Sequence, residues 1–228
     1  MYVCMYALMT SAPTSLIEQT KQTYELVALD FSRTRFSIWN SVKFFLNNIP
    51  KYFIGLEIGC GNGKNLDYCI NNLNINIIGC DLCKKFVDIC KEKKLPVFQA
   101  DMRNIGLKSQ SFDFIISVAV LHHLPTLQLR IKAIKEMVRL GTRKCLFFIS
   151  VWAFEQPPEA KRKFTLQDEL IPWKSRIDNK TYFRYYHLYK INELLQELYY
   201  VGDFNILYYI YEEGNYSIIF TSNSARNV

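Results

Sequence analysis

The segment "FIGLEIGCGNGKNL" (residues 53–66) restricts the possible folds more than any other part of the chain. An apolar run stops near Glu57, three glycines follow at alternate positions, and a helix-forming stretch begins at once. Such a sequence must turn sharply from a strand into a helix, and Gly59, Gly61 and Gly63 permit that turn. A bare turn also lets a ligand lie against the backbone. It reads as the first strand-to-helix turn of an open sheet, where nucleotides bind in such folds.

The same unit recurs downstream. "INIIGCD" (75–81), "VFQAD" (97–101), "FDFIISVAV" (112–120) and "KCLFFISVWA" (144–153) read as strands. "KKFVDICKEK" (84–93) and "LQLRIKAIKEMVR" (127–139) carry apolar residues at helical spacing. Near-continuous apolar strands alternating with helices predict an α/β fold: an open, mostly parallel, Rossmann-like sheet with helices on both faces. Upstream, residues 18–48 read as helical with a break, Ser37 capping the second helix and Pro50 ending it. Residues 154–187 interrupt the rhythm with Pro157, Pro158 and Pro172, and predict an insertion over one rim of the sheet. "INELLQELYYVG" (191–202) returns to a helix, and residues 204–222 predict a C-terminal antiparallel hairpin turned at Glu213–Gly214. Residues 1–15 read as a loose extension and 16–228 as one domain.

Composition narrows the class. Hydrophobic residues at 50% against 21% charged exclude disorder throughout the chain. A net charge of +7 favours an anionic partner. Seven cysteines, an odd number scattered through apolar segments, argue for reduced thiols and a cytoplasmic location and against a disulfide framework. Cys80 and Cys83 have the C-x-x-C spacing but no second pair, so no metal site is expected. No stretch is long and apolar enough to suggest a membrane span.

Two further strand ends carry acids. Asp81 ends the second strand, where a carboxylate can accept from ribose hydroxyls, and Asp101 ends the third, near an adenine edge. Met102 and Val118 complete the cofactor-binding candidates, with Glu57, Gly59, Gly61 and Gly63. The third glycine comes one residue too early for the dinucleotide fingerprint. Glu57 would also repel a pyrophosphate, but it suits a cofactor with an ammonium and a sulfonium, S-adenosylmethionine. Lys64, in the first turn of the next helix, reads as solvated. The fourth strand runs into "SVAVLHHL" (117–124), placing His122 and His123 at the ligand rim, one to pack and one to reach substrate. Amine-methylating enzymes of this fold often carry an Asn/Asp-Pro-Pro-Tyr-like segment there, and this chain does not. A carboxylate acceptor needs no general base, only alignment and cations, whereas an amine or hydroxyl acceptor would need a proton sink, which His123 could supply. "FSRTRF" supplies Arg33 and Arg35, and "YFRYYHL" supplies Arg184 and His187 among tyrosines. "KRK" (161–163) reads equally as a phosphate patch or a solvated loop.

The segments "FSRTRFSIW", "EIGCGNGKN", "VAVLHH", "VWAFEQ", "QDELIPW" and "RYYHLY" together resemble the S-adenosylmethionine-dependent family that forms the methyl ester of 5-carboxymethyluridine at the tRNA wobble position. The resemblance runs from about Tyr24 to Phe220. It implies tRNA as substrate, Arg35, His123 and Arg184 as the substrate-side catalytic residues, and Asp81 on the cofactor ribose. It also implies a heterodimer with a small zinc-binding activator subunit covering an apolar edge of the sheet, an edge expected around "CLFFISVW" or "VFQAD". Glu57 replaces the family's usual Asp, Leu82 its common Arg, and "LGTRKC" (140–145) a Gly-Gly turn. Another S-adenosylmethionine-dependent methyltransferase acting on RNA or a small acid is the alternative, and an inactive RNA-binding scaffold is the third reading.

Overall fold

The computed structural model describes residues 12–222. Two helices, α1 (Pro13–Thr34) and α2 (Asn40–Asn47), lead into β1 (Ile54–Ile58). Then follow α3 (Lys64–Asp67) running into a π-helical turn, β2 (Asn76–Asp81), α4 (Lys84–Glu92), β3 (Val97–Gln99) and β4 (Phe112–Val118). A 3-10 turn (Leu121–His123), α5 (Leu127–Leu140) and β5 (Gly141–Trp152) complete the alternating part. Beyond it lie β6 (Asp168–Lys174), β7 (Thr181–His187), α6 (Glu193–Val201), β8 (Phe204–Glu212) and β9 (Asn215–Ser222).

Seven strands form one sheet in the order β3-β2-β1-β4-β5-β9-β8, and β6 and β7 pair separately. Strands β1 to β5 are parallel, while β9 runs antiparallel to both β5 and β8. The chain moves outward from β1 to β3, then returns to β4 on the other side of β1. The order reverses between β1 and β4, so their carboxyl ends open a crevice.

Alternation along the strands fills both faces. Phe114, Ile116 and Phe148 pack with Val42, Phe45 and Leu46 of α2 on one face. Leu56, Ile115, Phe147 and Ile149 pack with Ile134 and Met137 of α5 and Leu194 and Leu198 of α6 on the other. Thr126 caps α5, its hydroxyl accepting from the Leu129 N–H at 3.3 Å. The final hairpin turns at Glu213–Gly214 as expected, with both residues at positive φ.

Some expectations need correction. Ser37 does not cap α2. The helix starts at Asn40, and its first N–H groups donate instead to the Glu212 carboxylate from β8, at 3.1 Å for both Asn40 and Ser41. Strand β5 is not an edge: β9 pairs along its far side, so "CLFFISVW" is central and mostly buried. The edges are β3 and β8. Helix α1 begins at Pro13, inside the segment read as an extension, while residues 1–11 lie outside the described residues. Residues 154–187 hold the β6–β7 hairpin, which packs on α1. The Thr23 hydroxyl donates to the Phe183 carbonyl at 2.8 Å, and the Tyr185 N–H donates to the Thr20 hydroxyl at 3.0 Å.

Candidate active site

A cavity of about 600 Å³ opens over the crevice between β1 and β4. It is walled by the glycine turn, the ends of β2 and β4, α1, β7 and the β8–β9 turn. Of the eleven residues singled out for catalysis or cofactor binding, ten line it: Glu57, Gly59, Gly61, Asp81, Asp101, Met102 and Val118 toward the glycine turn, and Arg35, His123 and Arg184 toward α1 and β7.

Gly63 is the exception. A Cβ there would come within 2.5 Å of Leu95 and 2.8 Å of the Cys90 sulfur, so its bareness serves packing against α4 rather than a ligand. At Gly61 (φ +54) an added Cβ would meet nothing within 4 Å, which leaves this part of the turn open. The Gly61 N–H donates to Asp81 Oδ2 at 2.8 Å, and the Cys83 N–H donates to Oδ1 at 2.9 Å. Asp81 thus clamps the turn and keeps lone pairs on both oxygens. Burial nevertheless pushes its pKa up to about 6.

Glu57 sits beneath the turn, 1% exposed. One oxygen accepts from the Asn65 side-chain amide at 2.7 Å, and the other has no hydrogen-bond partner. Burial pushes its pKa up to about 8. A buried carboxylate of this kind favours a cation above it. Lys64, read as solvated, is half-buried. Its ammonium donates to the Ser37 carbonyl at 2.6 Å and lies 5.9 Å from the Trp39 ring centre, and burial lowers its pKa. Asp101 is held in a fork by Arg103. Burial opposes its ionisation, but the Arg103 hydrogen bonds and charge outweigh that and keep its pKa below the usual range. Ala119, where β4 leaves the sheet, holds φ +60, an uncommon value for a residue with a Cβ.

The two histidines diverge. His122 is 0% exposed and stacks on Tyr186, with ring centres 4.5 Å apart, while Nδ1 accepts from the Trp152 N–H at 3.2 Å. His123 faces the cavity. Its Nδ1 lies 2.9 Å from the Tyr185 carbonyl and its Nε2 lies 3.1 Å from the Tyr24 hydroxyl. Burial holds its pKa down to about 3, so the ring is neutral at ordinary pH.

Arg184 is 3% exposed, yet its partners among the described residues are aromatic rings and hydroxyls. Its guanidinium carbon lies 5.5 Å from the Tyr24 ring centre, 5.4 Å from Trp173 and 5.3 Å from Tyr186. Nη1 donates to the Tyr186 hydroxyl at 3.1 Å, and Nε has no partner. Among the described residues no carboxylate lies within ion-pairing distance of it. Each aromatic contact contributes about 0.5–2 kcal/mol, and together they hold the cation without neutralising it. Arg35 is exposed at the mouth, over Phe31 at 5.2 Å and Trp173 at 5.7 Å. Arg33 is exposed and outside the cavity lining.

Strand β7 alternates between two tasks. Arg184 and Tyr186 face the cavity. Tyr185 and His187 face the other way, where His187 Nδ1 lies 2.8 Å from Asp168 and Nε2 lies 2.8 Å from Glu193. His187, Glu193 and Glu197 bring possible metal ligands within 4.8 Å of one another, a cluster the sequence did not suggest. Arg130 sits among them, donating from Nε to Glu197 at 2.7 Å, so the cluster reads as an ion-pair network.

Sequence reasoning assigned no site role to Tyr24 or Tyr186. Tyr24 stands seven residues before Phe31, two turns along one face of α1, and the two rings meet at 5.4 Å. That spacing was the available signal. For Tyr186 it was the alternation with Arg184.

A methyltransferase domain family matches residues 56–149. A tRNA (carboxymethyluridine(34)-5-O)-methyltransferase of Schizosaccharomyces pombe is 34% identical over 229 residues, covering 90% of this chain and 97% of that protein. The chain belongs to the tRNA carboxymethyluridine methyltransferase family. A protein of the same name from Arabidopsis thaliana is 41% identical over 135 residues, covering 59% of this chain. This family member spans only 33% of that longer relative. Among solved structures, a SAM-dependent methyltransferase of Methanosarcina mazei superposes with a TM-score of 0.64 at 17% identity, over 82% of this methyltransferase and 98% of that chain. At that identity the likeness establishes the fold.

Proposed function

We propose that this chain transfers a methyl group from S-adenosylmethionine to the carboxylate of 5-carboxymethyluridine at the tRNA wobble position, forming the methyl ester. The observation that carries the reading is Arg184, a buried guanidinium in an aromatic cage with no acidic partner, facing the same cavity as the glycine turn. A buried unpaired cation is costly, and a substrate carboxylate would relieve that cost.

The residues present fit S-adenosylmethionine. Asp81 would accept from ribose hydroxyls with its free lone pairs, and Gly61 leaves room beside it. Met102 and Val118 would wall the adenosine, with Asp101 at its edge. Glu57 would set a negative charge beneath the ammonium. The bound cofactor supplies an electrophilic methyl group on a sulfonium. Arg184 and the exposed Arg35 hold the acceptor carboxylate. His123, neutral and bonded at both nitrogens, orients the acceptor end and takes no proton. None needs to be taken, because a carboxylate is already nucleophilic at neutral pH. Alignment and exclusion of water then carry the rate, with a ceiling of ~7–11 kcal/mol.

The reading extends to a cytoplasmic heterodimer with a small zinc-binding activator. The family resemblance supports it, and β3 offers an open edge with Val97 and Phe98 only partly buried. The test is methyl incorporation into purified tRNA bearing 5-carboxymethyluridine, with the activator present. Label released by mild alkali is the expected result. Alkali-stable label would favour a different acceptor, and no cofactor binding would favour an inactive scaffold. Arg184→Ala is expected to abolish tRNA methylation while cofactor affinity stays within about threefold, a difference of under 1 kcal/mol. Equal losses in both assays would count against an anion-holding role.

A further inference from the structure

At the acceptor end of the cavity, hydrogens can be placed by elimination. His123 Nδ1 lies 2.9 Å from the Tyr185 carbonyl, which can only accept, so Nδ1 carries a hydrogen. The ring is neutral, so Nε2 is a bare acceptor. Tyr24 Oη, 3.1 Å away, therefore donates its one hydrogen to Nε2. Tyr186 Oη lies 3.3 Å from Tyr24 Oη, and with the Tyr24 hydrogen already engaged, Tyr186 is the donor in that pair. Arg184 Nη1 donates to both hydroxyl oxygens, at 3.1 Å to Tyr186 and 3.4 Å to Tyr24. The hydrogens all run one way, from Tyr186 through Tyr24 to His123.

That direction singles out one group. If the Tyr24 hydrogen turned away, His123 Nε2 would lose its donor. If the Tyr186 hydrogen turned away, Tyr24 would still accept from Arg184, and His123 would still accept from Tyr24. Tyr186 alone can release its hydrogen to a newcomer without leaving a neighbour bare. A carboxylate beside Arg184 is a stronger acceptor than a neutral phenol at 3.3 Å. Both Tyr186 and Arg184 line the cavity.

We infer that Tyr186 contacts the substrate, donating its hydroxyl hydrogen to the acceptor carboxylate alongside Arg184. The inference rests on the carboxylate acceptor proposed above.

The test compares two anticodon stem-loop RNAs, one bearing 5-carboxymethyluridine and one bearing the neutral 5-carbamoylmethyl amide. Their affinities are measured by fluorescence anisotropy on the full chain in the complex used for the methylation assay. The unmodified chain is expected to prefer the acid. Tyr186→Phe should cut that preference by about tenfold, the weight of one hydrogen bond to a charged group, with amide and S-adenosylmethionine affinities unchanged. A preference untouched by Tyr186→Phe overturns the inference. Parallel loss of S-adenosylmethionine affinity overturns it in favour of a purely structural role. Absence of any acid preference in the unmodified chain overturns the proposed function and this inference with it.

Discussion

Glu57 is a single carboxyl whose protonation reports on the floor of the cavity beneath the glycine turn. Burial raises its pKa from 4.5 to about 8 in the folded chain. Between those values the folded state holds a proton that the unfolded chain has lost. Its contribution to stability is therefore full below pH 4.5 and drains away as pH rises to about 8. A cationic ligand reverses the preference and favours the carboxylate, so binding near pH 7 should release most of a proton. Calorimetry of S-adenosylmethionine binding in two buffers of different ionisation enthalpy reads that number directly. Glu57→Gln should bring it to zero, and no release from the unmodified chain would remove Glu57 from the floor. At this scale the sequence was informative wherever the site is local. Gly59, Gly61, Glu57 and Asp81 fall within one strand-turn-helix-strand unit, so spacing alone brought them to one cavity wall, while Gly63 in the same unit packs against α4. The convergence of Tyr24, Trp173 and Tyr186 on Arg184 was out of reach, because they meet only after the β6–β7 hairpin docks on α1. The Tyr24 and Tyr186 hydroxyls, now 3.3 Å apart, are separated by 162 positions in the chain.

Elements were legible by period, and their junctions were not. The buried parallel strands announced themselves as continuous apolar runs, and α5 by its spacing. What failed was the start of α2, where Ser37 carried a local capping signal that Glu212 of β8 overrides from the far end of the chain. Capping by a distant residue leaves no pattern near the helix. It does make α2 depend on the hairpin: Glu212→Ala should cost about 1 kcal/mol, the usual weight of a lost cap, measured by urea unfolding. An unchanged midpoint would show that solvent serves the N–H groups equally well. The placement of β5 failed for a related reason. Its apolar run suits an edge covered by a partner as well as a central strand, and only the pairing of β9 decides between them.

Across the whole molecule, Arg130 joins the sheet's helical cover to the segment that carries Arg184. It is 4% exposed on α5, donates to Glu197 of α6 at 2.7 Å, and lies 5.6 Å from the Tyr189 ring centre just beyond β7. Tyr189 donates to the same glutamate at 2.9 Å. Removing one partner of a buried ion pair strands the other, so Arg130→Met should destabilise the chain by about 3–5 kcal/mol in urea unfolding. A loss under about 1 kcal/mol would mean that water or relaxation compensates Glu197.

The alternation of β7 has a consequence for how a chain of this kind can change length. One face of the strand carries Arg184 and Tyr186 into the cavity, and the other carries Tyr185 and His187 to Asp168 and Glu193. Inserting or deleting one residue within Thr181–His187 exchanges the faces, sending the guanidinium toward an acidic network and an imidazole toward the cavity. Changes of length in this fold are therefore expected in the connection between β6 and β7, or in residues 154–167 before it, and not within β7.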